Sequence, residues 1–186
     1  TTTTTTSTTT TSTTAPMFSG PTEPMRLCVR SSTGALLDGA SLSIYAGAWY
    51  DVGTTTSATC LDAAVPDNTS AVAVRHRGVY QQVDWSAGTT VSGTTVFSFA
   101  TRPHAVRLID STGQGLSGAT AEFYASSWQS LGTTDAGGCV TTELLTGNIT
   151  FSVRHRGVYR QETVDTSGAG TTGCGATPVF ATFQTQ

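Results

Sequence analysis

The sequence predicts an all-β chain: two tandem β-sandwich modules behind an extended Thr-rich N-terminal segment. Three observations lead there. They are a sequence repeat at an interval of 79, apolar alternation of period two with no useful helical stripe, and glycine-rich turns at the spacing of sandwich strands. Arg75-His76-Arg77-Gly78-Val79-Tyr80 recurs as Arg154-His155-Arg156-Gly157-Val158-Tyr159, an offset of 79 (154 minus 75). The same offset carries Gly34 to Gly113, Tyr45 to Tyr124, Trp49 to Trp128 and Cys60 to Cys139. A two-residue insertion then moves the offset to 81, matching Phe99-Ala100-Thr101 with Phe180-Ala181-Thr182. The expected division is a segment over 1–24, module one over 25–102 and module two over 105–186. Arg102-Pro103-His104 reads as a short link with little slack, because Pro removes a backbone freedom.

Within a module, Ser41-Leu42-Ser43-Ile44-Tyr45 alternates, as does its match Thr120-Ala121-Glu122-Phe123-Tyr124. Positions 42/121 and 44/123 are expected to face inward and 41/120 and 43/122 outward. Val72 and Val74 match Phe151 and Val153, again at period two. Ser32-Thr33-Gly34, Ala136-Gly137-Gly138 and Ser167-Gly168-Ala169-Gly170 punctuate the runs. Each module is expected to be a seven-strand-type sandwich of nearly 80 residues, just large enough to hold its own core.

Composition narrows the function. Charged residues are 11% of the chain, against about 25% for an ordinary domain. Thr, Ser and Gly supply the polarity instead. A net charge of -3 leaves no electrostatic footprint for nucleic acid or an anionic membrane. All nine basic residues are arginine, so Schiff-base, P-loop and lysine-crosslink chemistry are excluded. No apolar run reaches the length of a membrane span. The chain begins at Thr and reads as already processed, in an extracellular or cell-surface setting. Two sequons, Asn68-Thr69-Ser70 and Asn148-Ile149-Thr150, precede expected strands and are candidate N-glycosylation sites.

Module two runs Val106-Arg107-Leu108-Ile109-Asp110-Ser111-Thr112-Gly113-Gln114-Gly115-Leu116-Ser117-Gly118-Ala119, then Thr133-Thr134-Asp135-Ala136-Gly137-Gly138. It continues with Leu144-Leu145-Thr146-Gly147-Asn148-Ile149-Thr150-Phe151-Ser152-Val153 and Gly157-Val158-Tyr159. This pattern resembles the carboxypeptidase-regulatory-like and Cna-B-type repeats over most of module two and, more loosely, module one. The resemblance implies Ig-like/prealbumin-like sandwiches serving as stalks, spacers, or pilus and adhesin repeats. Many Cna-B modules carry a Lys–Asn isopeptide bond, which a lysine-free chain cannot form.

Four cysteines allow three connectivities. The simplest keeps each bridge inside a module, Cys28–Cys60 and Cys139–Cys174; buried free thiols are the alternative. A metal site is not expected, because there is no Cys-x-x-Cys and no nearby His pair.

The first fourteen residues are Thr1-Thr2-Thr3-Thr4-Thr5-Thr6-Ser7-Thr8-Thr9-Thr10-Thr11-Ser12-Thr13-Thr14. One reading is an O-glycosylated, mucin-like stalk. The other uses the β propensity of Thr and an extended reach of roughly 46 Å. Such a strand pairs with a neighbouring subunit's open sheet edge, a heterologous contact that builds filaments.

The candidate contact residues are Arg75, Arg77, Arg154 and Arg156 of the repeated motif, together with Trp85. Two arginine pairs at one repeat interval suit anionic glycans or a neighbour's carboxylates. The plainer expectation is that they pair with Asp or Glu of their own module. His76 is expected to point inward. Trp49 and Trp128 are expected in the core, with sugar stacking as the alternative. Trp85 has no repeat partner and is the expected exposed contact. No G-x-S-x-G, H-E-x-x-H or nucleotide-binding loop is present, and the acidic residues suggest no glycosidase pair, so no enzyme and no cofactor are expected. The expected function is an extracellular structural subunit that assembles non-covalently with copies of itself into a fibre and carries covalent glycans. The rivals are a carbohydrate-binding or adhesin stalk module and an accessory region of a larger surface enzyme.

Overall fold

A computed structural model describes residues 18–185, so the tract over 1–14 lies outside the described residues. Among the described residues the chain is all-β apart from one 3-10 turn, Trp85–Ala87. Module one contains β1 (Thr22–Arg30), β2 (Ser41–Tyr45), β3 (Trp49–Thr54), β4 (Leu61–Pro66), β5 (Ala71–His76), β6 (Val79–Asp84), β7 (Thr89–Val91) and β8 (Thr94–Ala100). Module two repeats the series as β9 (Arg102–Ile109), β10 (Thr120–Ala125), β11 (Ser127–Thr133), β12 (Cys139–Leu144), β13 (Asn148–His155), β14 (Val158–Asp165), β15 (Thr171–Cys174) and β16 (Thr177–Gln184). Each module therefore has eight strands rather than seven. In each module they form two four-stranded sheets, β4-β1-β8-β7 with β3-β2-β5-β6 in module one and β12-β9-β16-β15 with β11-β10-β13-β14 in module two.

Alternation places the core as expected. Leu42, Ile44, Ala121 and Phe123 are fully buried, while Ser41, Ser43, Thr120 and Glu122 are not. Val72, Val74, Phe151 and Val153 are buried with them. The repeat extends to buried hydroxyls. Thr55 donates to the Leu37 carbonyl and accepts from the Ala40 N–H, as Thr134 does with Leu116 and Ala119. Each hydroxyl satisfies two backbone groups where a loop enters the core, which is why a polar side chain is tolerated there. Asp135 accepts from the N–H groups of Gly137 and Cys139 and holds the β11–β12 turn. Gly138 is required at that turn: its φ is +76°, and a Cβ would lie 2.1 Å from the Leu108 carbonyl oxygen.

Two expectations need correction. Arg102-Pro103-His104 is not a free link but the start of β9, registered against Leu144, Glu143 and Thr142 of β12. The Arg102 guanidinium donates to the carbonyls of Ser167 and Gly168, and His104 Nδ1 donates to the Arg102 carbonyl. The match of Phe99-Ala100-Thr101 to Phe180-Ala181-Thr182 is also displaced. Phe99 pairs with Val29 of β1, and Phe183 pairs with Leu108, the repeat equivalent of Val29. The true offset there is 84 (183 minus 99): it is already 83 at Val179, which pairs with Ala105 as Val96 pairs with Arg26, and the irregularity between Val179 and Ala181 adds the last residue.

Candidate functional site

The repeated Arg-His-Arg-Gly motif is a hairpin turn. Arg77 and Gly78 link β5 to β6 with φ of 48° and 77°, and Arg156 and Gly157 link β13 to β14 with 48° and 82°. Two consecutive residues at positive φ match the twist of the flanking strands, which explains the glycine. The arginine is unusual, since Asn, Asp or Gly normally takes that place. His76 is half-buried inward of the turn, its imidazole pushed toward the neutral form first by burial and then by Arg77.

The arginines do not pair with carboxylates of their own module, contrary to the plainer expectation. The one ion pair among the described residues is Arg26–Asp62, at 2.6 Å. Arg75 instead lies over the Tyr80 ring and Arg154 over the Tyr159 ring, each 5.8 Å from the centroid. Arg77 crosses to module two. Its guanidinium donates to the Thr142 hydroxyl and lies 5.3 Å from the centroid of the buried Phe123 ring.

Around Arg77 the two modules interlock. Glu143 on β12 accepts from the Ser32 hydroxyl, from the Ser32 N–H at 3.1 Å and from the Thr101 hydroxyl at 2.6 Å. Burial pushes the Glu143 carboxyl up. The hydrogen bonds from Ser32 and Thr101, with His104 nearby, outweigh it and hold the group below its ordinary value. Gly78 lies so close to module two that a Cβ would come within 2.4 Å of the Ala125 carbonyl oxygen. Sequence reasoning missed Ser32, Thr101, Thr142 and Glu143, because partners tens of residues apart leave no local signal.

The tryptophans also reverse expectation. Trp49 and Trp128 are 46% and 40% exposed and meet Tyr45 and Tyr124 edge to face, with centroids 5.4 Å apart in both modules. Each pair is a cross-strand neighbour on the outward face of its sheet. Trp85 is half-buried and packs against Phe97 at 5.2 Å, so it is less exposed than Trp49 and Trp128. The outward face of β3-β2-β5-β6 forms a groove of about 460 Å³ lined by Ser43, Asp51, Ala73, Arg75 and Tyr80. Asp51 accepts the Ser43 hydroxyl there at 2.7 Å. Cys28 is joined to Cys60 and Cys139 to Cys174, each bridge inside one module. Asn68 and Asn148 are both exposed. Among the described residues no group of three or more His, Cys, Asp or Glu is placed to hold a metal ion, and no helix is long and apolar enough to cross a membrane.

No protein-family model matches the chain, and no curated protein matches it. Among solved structures, the Bacillus anthracis TIE protein is 13% identical with a TM-score of 0.34, covering 88% of this chain and 34% of that one. This chain thus spans about a third of that length. The shaft pilin SpaA from Lactobacillus rhamnosus GG is 12% identical with a TM-score of 0.32, covering 88% and 97%. The pilus backbone RrgB from Streptococcus pneumoniae is 10% identical with a TM-score of 0.30, covering 88% and 64%. At these scores the likeness carries no weight for function.

Proposed function

We propose that this chain is an extracellular structural subunit that assembles non-covalently with copies of itself into a fibre. The observation that carries the reading is the junction between the modules. Two sandwiches tied by Arg77 and Glu143, with β9 beginning directly after Thr101, form a stiffened unit suited to bearing length rather than to closing around a substrate. One disulfide per module suits an oxidising compartment. In this reading the modules are Cna-B-like, Thr1 to Thr14 form the connector to a neighbouring subunit, and glycans sit on those hydroxyls and on Asn148, while Asn68 stays bare at the end of module one. Light scattering coupled to size-exclusion chromatography tests it. The expected mass exceeds that of a monomer and rises with loading concentration. A monomer mass at every concentration contradicts the reading.

A second reading, a carbohydrate-binding or adhesin stalk module, draws on the exposed Tyr45–Trp49 and Tyr124–Trp128 pairs. Their rings are inclined at 60° and 66°, so each pair offers one face at a time rather than a flat platform. Glycan-array binding that is lost in Trp49→Ala and Trp128→Ala supports it.

A further inference from the structure

The two modules end in the same hairpin, but the ends differ in what surrounds them. A Cβ on Gly78 would clash with module two, whereas one on Gly157 would meet nothing within 4 Å. Val79, just past the first turn, is 5% exposed; Val158, its repeat equivalent, is 56% exposed. Beside Val158 lies a hollow of about 490 Å³, walled by Leu108, Leu116 and Val153 and edged by Arg156, Arg160 and one carboxylate, Asp110, which is already engaged by Thr112 and Gln114. An arginine in the left-handed region costs on the order of 1 kcal/mol. At Arg77 the contacts to Thr142 and Phe123 offset that cost. Arg156, exposed like Arg77, holds the same φ with no hydrogen bond or ring contact among the described residues. Module two thus presents an apolar floor and a rim on which two arginines outweigh one carboxylate.

We propose that this end docks the N-terminal end of module one of a second copy, repeating between chains the junction formed within one. The proposal rests on the assembly reading above and names the surfaces. Charge identifies the occupant. Glu23, Asp67 and Asp84 gather at the N-terminal end of module one: Glu23 near the start of β1, Asp67 after β4 and Asp84 at the end of β6. Asp67 and Asp84 are exposed, and the Asp67 N–H bonds the Pro21 carbonyl at that same end. Repeat equivalence supplies the register. Within the chain, the Tyr80 carbonyl oxygen lies 3.6 Å from where a Cβ on Gly147 would sit. An offset of 79 turns that contact into Tyr159 against Asn68. Arg160 directly follows Tyr159 and Asp67 directly precedes Asn68, so this register brings the two charges into one neighbourhood. Ala63 and Ala64 stand where Thr142 and Glu143 stand, so the contact between chains lacks the carboxylate lock. It depends on attraction between exposed charges, which salt screens. The fibre contact is therefore weaker than the internal junction and reversible.

Sedimentation velocity on the full chain tests this. The expected wild-type behaviour is concentration-dependent assembly at low salt that reverts to monomer at high salt. Arg156→Glu/Arg160→Glu and Asp67→Arg/Asp84→Arg are each expected to lose at least tenfold in association, and an equimolar mixture of the two to regain it. The mixture separates lost charge pairing from a fold defect. Reversed variants that assemble like wild type, or a mixture that stays monomeric, overturn the pairing of these ends and leave the assembly reading standing. A wild type that is monomeric at low salt overturns both.

Discussion

The Thr101 hydroxyl donates to the Glu143 carboxylate at 2.6 Å, tying the residue that follows the last strand of module one to β12 of module two. Ser32 donates to the same carboxylate from the β1–β2 loop. One side chain thus gathers two separate segments of module one. Module one has Ala64 at the equivalent position, so the lock runs in one direction along the chain.

Glu143→Ala removes the acceptor and leaves the buried Thr101 hydroxyl only the longer contact to the Arg30 carbonyl, at 3.4 Å. The expected loss is about 1 to 3 kcal/mol, read from urea unfolding. Glu143→Gln should lose less, because its amide oxygen still accepts. The carboxyl is held below its ordinary value, so its contribution is fully present above the ordinary glutamate range and is lost as pH falls through the lowered folded value.

Gly78→Ala and Gly157→Ala carry nearly the same backbone strain, at φ of 77° and 82°. Only the first drives a methyl into module two. Thermal unfolding of the monomer should show Gly78→Ala as the more destabilised variant, and the difference between the two reports the junction alone.

His104 is fully buried where module one has Met25, also buried, and its Nε2 has no hydrogen-bond partner among the described residues. Burial is the main influence lowering its pKa, with Arg102 and Glu143 adding smaller opposing effects. A lowered folded value means the unfolded chain takes the proton first, so stability falls as pH drops below about 6.5 toward the folded value. His104→Met should abolish that part of the acid sensitivity in unfolding curves recorded as a function of pH. An unchanged pH profile contradicts the assignment.

The bridges close loops with sequence separations of 32 and 35. Chain entropy assigns each about 3 to 4 kcal/mol. Replacing either cysteine pair with alanine should lower the urea midpoint by a similar amount, since the loops are nearly equal in length.

Much of the fold was legible because a strand's period is local. Leu42, Ile44, Ala121 and Phe123 declare their face within five residues, and the offset of 79 needs only the string itself. The reading failed where geometry overrides the string. The shared letters Phe-Ala-Thr at 180–182 led to the wrong register, since the connection before β16 is longer than the repeat suggests and the irregularity after Val179 adds one residue more, which moves the true match to Phe183. Trp49 and Trp128 looked like core anchors, but cross-strand packing with a tyrosine stabilises an aromatic on an outer face as well. Arg77 was visible as a motif, while its partners Thr142 and Phe123 belong to another module and have no signature near it.

The central claim is that this chain is a subunit of a fibre. Negative-stain imaging of the full chain beside one lacking residues 1–14 tests it most directly. The account predicts filaments from the full chain and their loss or shortening on truncation. Separate monomers in both samples would contradict it and return the Thr tract to a glycosylated stalk.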